Sequence, residues 1–272
     1  MTEQKFLQDL DKKLWTPNIK IISYTITTFA LLFYLWQQSY TYHCMALVFP
    51  IIMLAIIGWG YAELTMNERK CFSEFYIINT TFLSKLLSRR FFVLLFYTIS
   101  SMAMTVAAFM ISINFPLLLW VYFIVHIILS LVLFRYITHL FSKIIHENYI
   151  TLFAKEWSIR VMAIILVVVY IFISLNEYTP IYLSESLQQT VTNATSSVFS
   201  NCNVIQIIMQ YGKSIDSSFW WIVVESTEQM NDSLIKAGVW IIFLLYNSLA
   251  LLGINRLILQ TIYYLDREFN TQ

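Results

Sequence analysis

Six apolar runs, separated by polar segments, organise the chain: Ile21 to Trp36, Cys44 to Tyr61, Phe91 to Ile113, Leu117 to Phe134, Val161 to Leu175 and Ala237 to Ile254. With their flanking aromatic and small polar residues, each approaches the roughly 20 residues that carry a helix across the hydrocarbon core. A helix satisfies its own backbone hydrogen bonds, which lipid cannot do. The pattern predicts an all-α polytopic membrane protein with six transmembrane helices, near residues 18–38, 44–62, 91–113, 116–137, 159–176 and 237–257, in one integral membrane domain over residues 1–272. The fifth run is the shortest.

The segments on one side keep a helical period. Phe6, Leu10 and Leu14 recur every four residues, and Phe72, Phe75, Tyr76, Phe82, Leu83, Leu86 and Leu87 share one helical face. A third segment sets Phe141, Ile144, Ile145, Tyr149, Leu152 and Phe153 against Lys143, Glu147, Lys155 and Glu156. These periods predict amphipathic interfacial helices. They lie in the lipid interface or dock a soluble partner, and the Phe72 to Leu87 face is the candidate docking or coupling helix.

On the other side stands one long polar stretch, residues 177–236. Leu183, Leu187, Val191, Ala194 and Val198 fit a helix, Val204 to Met209 continue its stripe, and Gly212 is expected to end it. Phe219 to Val224 is too short to span, and Trp220 and Trp221 at its start are candidate outer-interface anchors. The expectation is a helical extracytoplasmic segment held against the outer leaflet.

Composition agrees with the pattern. Hydrophobic residues make up 58% of the 272 and charged residues 12%, about half the charge of a soluble domain. Fifteen of the 17 basic residues fall on the side of the N-terminus, where ten acids accompany them; two basic and six acidic residues face the other way. That bias predicts both termini in the cytoplasm, in a bacterial inner membrane. The polar first ~15 residues lack a cleavage site after the first run, so the first span is expected to act as the insertion signal. Of the three cysteines, Cys71 falls on the cytoplasmic side. Cys44 and Cys202 both fall at the outer boundary, either as a disulfide or as two unrelated thiols.

Candidate chemistry is sparse. Ser101, Thr105, His126, Tyr170 and Asn247 form a candidate polar layer at mid-membrane, read either as helix-packing contacts or as the lining of a path. Ser101, Thr105, Ala108 and Ser112 make a stripe of small residues on one helix. Arg135 and Arg256 are expected to snorkel at the inner boundary. No carboxylate lies inside a run, and the nucleophile, phosphate-loop, dinucleotide and metalloprotease motifs are missing. The expectation is therefore no enzyme, no cofactor, no metal and no nucleic-acid partner. The reading is a non-catalytic membrane-embedded subunit of a larger complex of the secretion, conjugation, motor or defence kind, its partners being the bilayer, other envelope subunits or copies of itself. The alternative is a permease or pore subunit energised by an ATPase.

Overall fold

The computed structural model describes residues 3–76, 90–113, 115, 117–177, 180–229 and 232–270. The side chains of residues 3–17, 65, 67–76, 90–93, 147–148, 173–177, 226, 229, 244–247 and 270 are outside that description. Eight α-helices and no strand occur among the described residues: α1 Glu3–Ser39, α2 Val48–Tyr76, α3 Arg90–Ser112, α4 Leu117–Phe141, α5 Glu147–Glu177, α6 Leu187–Ser196, α7 Asn203–Gln229 and α8 Ser233–Asn270. A 3₁₀ turn, Cys44–Leu47, leads into α2.

Five stretches among the described residues are long and apolar enough to cross a bilayer: Asn18–Ser39, Cys44–Leu64, Leu94–Ser112, Leu117–Phe141 and Ser248–Phe269. The protein is thus an α-helical, multi-pass integral membrane protein. The last stretch is the least apolar, with mean hydropathy 1.2 against 1.5–2.7 for the others, yet 78% of it is buried against 22–39%. That inversion follows from the solvent. Lipid accepts apolar faces at no cost, whereas the polar side chains of this stretch, Ser248, Asn255, Arg256, Gln260 and Asp266, are buried where protein can satisfy them. α4 shows the opposite case: Leu118, Val121, Ile124, Val125, Ile128, Leu129 and Val132 are exposed on one side, while Phe123, Ile127, Leu131 and Phe134 fill the core on the other.

Close packing around α8 depends on small residues. Ser101, Thr105, Ala108 and Ser112 of α3 are all buried, so the stripe faces inward. Across from it, a Cβ added at Gly253 would stand 3.0 Å from the backbone oxygen of Met104. Glycine lets the α3 and α8 backbones approach that closely. Aromatic side chains pack one end of the bundle, with Phe29, Phe33, Trp36, Phe109, Phe115, Trp120 and Phe123 in ring contact. Trp36, the last residue of the first apolar run, is 4% exposed and donates its indole N–H to the Phe109 carbonyl at 3.2 Å.

The stretch between α5 and α8 differs in detail from its expectation. Ser186 caps α6 by accepting from the Gln189 N–H at 3.2 Å, and α6 ends at Ser196. α7 then runs 27 residues straight through Gly212. A glycine alone does not stop a helix when packing holds both of its flanks, and here the Phe219–Val224 run is one more segment of the same helix. Trp220 is buried against Trp240 and Phe243, with centroids 6.0 and 4.7 Å away. With Val223 they form a satellite core between α7 and the start of α8. Trp221 is half-buried.

Candidate functional site

The polar groups gather along α8. His126 of α4 and Asn255 of α8 are both fully buried, with His126 Nε2 2.9 Å from Asn255 Oδ1. The Asn255 amide donates onward to the Ile159 carbonyl of α5 at 2.9 Å. Tyr122 O–H lies 3.4 Å from His126 Nδ1. One assignment satisfies all three contacts: a neutral imidazole, protonated on Nε2, accepting at Nδ1. The imidazole is therefore a strut that joins α4, α5 and α8.

One residue further along α8 the side chains become charged. Arg256 is 7% exposed; it donates to Glu156 Oε1 at 3.1 Å and lies 3.4 Å from the Tyr61 ring centroid. Lys155, fully buried, places its Nζ 3.7 Å from the same Glu156 oxygen and 4.7 Å over the Tyr263 ring. Burial pushes the Lys155 pKa down, against the pull of Glu156 and Glu63. Glu63 Oε1 accepts from the Tyr263 hydroxyl at 3.1 Å and lies 3.5 Å from Arg267. Beside this cluster Arg135 of α4 bonds Asp266 at 2.5 Å and Asn18 at 3.3 Å. Arg135 and Arg256 thus have protein partners from other helices. The difference from the snorkelling expectation arises because the counter-ions sit on different helices, invisible to a count along one run.

At the opposite end the α6–α7 lobe is tied down. Cys44 and Cys202 are joined by a disulfide, with Cα atoms 4.9 Å apart. The Ser200 hydroxyl donates to the Tyr40 carbonyl at 2.5 Å, and the Asn201 N–H to the Thr41 carbonyl at 2.9 Å. Three consecutive residues therefore grip the turn after α1. Within the lobe, Asp216 accepts from Tyr182 at 3.1 Å and lies 3.7 Å from Lys213. Burial pushes the Asp216 carboxyl up, while Lys213 and Tyr182 pull it down.

α7 then turns an apolar face outward. Val204, Ile207, Ile208, Tyr211, Ile215, Phe219 and Ile222 are exposed, while its inward face carries Ile205, Met209, Trp220 and Val223 together with Lys213, Ser217 and Thr227. The helix is apolar on both sides, where a water-facing helix turns a polar face outward.

Ser101 donates to the Tyr97 carbonyl at 2.7 Å, within its own helix. The Thr105 hydroxyl is buried with no hydrogen-bond partner among the described residues. Tyr170 packs half-buried at the edge of the core. Asn247 is eight residues, about 12 Å, along α8 from Asn255, the residue that meets His126. Phe72, Phe75 and Tyr76 fall in the last turns of α2, their side chains outside the description, and Phe82, Leu83, Leu86 and Leu87 lie outside the described residues. No group of three or more metal-ligating side chains occurs among the described residues.

Fold and buried polar side chains together define a polytopic helical membrane protein packed around the second half of α8. No known protein family, curated protein or solved structure matches the chain.

Proposed function

We propose that this protein is a non-catalytic, membrane-embedded subunit of a larger membrane assembly of the secretion, conjugation, motor or defence kind. It crosses a bacterial inner membrane six times, with α5 supplying the sixth span and both termini in the cytoplasm. The observation that carries the reading is the α7 face. Its apolar stripe from Val204 to Ile222 extends about 27 Å along a helix that a disulfide and two hydrogen bonds lock to the bundle. A rigid, outward-turned apolar helix face fits an apolar helix of another envelope subunit. Photo-crosslinking groups at Ile215 and Tyr211, in cells producing the full chain, test it. A discrete protein adduct at fixed mass is expected; adducts to lipid alone contradict the reading.

A second reading, a permease or pore subunit driven by a partner ATPase, draws support from the buried charges on α8. Ionisable residues held inside a bundle are costly and commonly line pathways. In vesicles, an electrical or substrate flux that Lys155→Met abolishes would favour it over the first.

A further inference from the structure

The charged end of the bundle holds more hydrogen-bonding capacity than its own side chains use. Lys155 Nζ, Glu63 Oε2 and Arg256 Nε are buried with no hydrogen-bond partner among the described residues, and the buried Gln260 amide has only the neighbouring Tyr264 hydroxyl beside it. Lys155 and Gln260 are 0% exposed. These residues converge from α2, α5 and α8. Gln260 is pressed against α2, with its Oε1 2.3 Å from where a Cβ on Gly60 would be.

The chemistry of the open atoms selects the guest. Donors and acceptors are both present, so the guest must both accept and donate. A cation would meet Lys155 and Arg256, and an anion would meet Glu63 Oε2 and Glu156. Water alone satisfies both kinds of atom without adding charge. We infer that an internal water cluster occupies the space between α2, α5 and α8, bonded to Lys155, Glu63, Gln260 and Tyr264. It lies next to Arg267, which is 3.5 Å from Glu63 and whose side chain is 57% exposed. Its tip reaches Arg256, next to the Asn255–His126 pair. The cluster brings water to the polar centre of the bundle under either functional reading.

Radical footprinting of the unmodified full-length protein tests this, because radicals formed from internal water oxidise the side chains beside it. Tyr263, in the cluster, and Trp36, in the aromatic core, are 6% and 4% exposed, so access from bulk solvent does not separate them. Tyr263 is expected to oxidise about fivefold or more faster than Trp36, because water lies against it. Equal rates, or a faster Trp36, would mean a dry cluster and overturn the inference.

Discussion

Replacing Asn255 with leucine should destabilise the bundle mostly through what it leaves behind. The substitution removes the acceptor 2.9 Å from His126 Nε2 and the donor to the Ile159 carbonyl, while the fully buried imidazole keeps its N–H. A buried donor stripped of its partner costs about 1–3 kcal/mol, whereas side-chain hydrogen bonds in membrane proteins average about 0.6 and reach about 1.7 kcal/mol. With His126 0% exposed, the cost is set near the middle, about 2 kcal/mol. For a chain of this size that lowers Tm by about 4–8 °C. His126→Leu/Asn255→Leu should recover half or more of the loss, because no orphan donor remains. The assay is thermal unfolding in a fixed detergent, run on wild type, both single variants and the pair. A silent Asn255→Leu, or single losses that simply add in the pair, would refute the strut.

Other consequences can be checked as directly. Of the three cysteines, only Cys71 should react with a maleimide polymer in denatured, unreduced protein, rising to three after reduction; three before reduction contradicts the disulfide. Gly253→Leu forces a side chain onto the Met104 backbone, and overpacking there should cost about 1–3 kcal/mol of thermal stability, while Gly238→Leu, with open space around it, should cost little. Lys155 has its pKa lowered in the fold, chiefly by burial, so the unfolded chain binds that proton more readily. Its stabilising contribution is present above the unfolded pKa of about 10.5 and lost as pH falls through the folded value. The Tm of wild type relative to Lys155→Met should therefore rise from pH 7.5 to pH 10, and a constant difference would refute the burial.

The spans were legible because lipid imposes a one-dimensional rule, long apolar runs, that survives without knowledge of neighbours. The small-residue stripe on α3 was legible for the same reason, being a period on one helix. His126 could be read as a buried, satisfied histidine, but not its partner. Asn255 lies 129 positions away and one residue past the end of the Ala237 to Ile254 run. The charge cluster escaped notice because runs are delimited by excluding charges. Lys155 and Glu156 therefore read as the polar face of an interfacial helix, and Glu63 falls two residues past the second run, whereas the fold draws all three against α8. Gly212 misled in another way. Its intrinsic helix cost, about 1 kcal/mol, is outweighed by the packing of α7 on both sides of it.

Native mass measurement of the protein, released gently from its own membrane, separates a subunit from a free-standing chain. An assembly well above the 32.1 kDa of one chain is expected, with other membrane or envelope polypeptides in fixed ratio. A lone 32.1 kDa chain, or a complex made only of its own copies, would contradict the subunit reading.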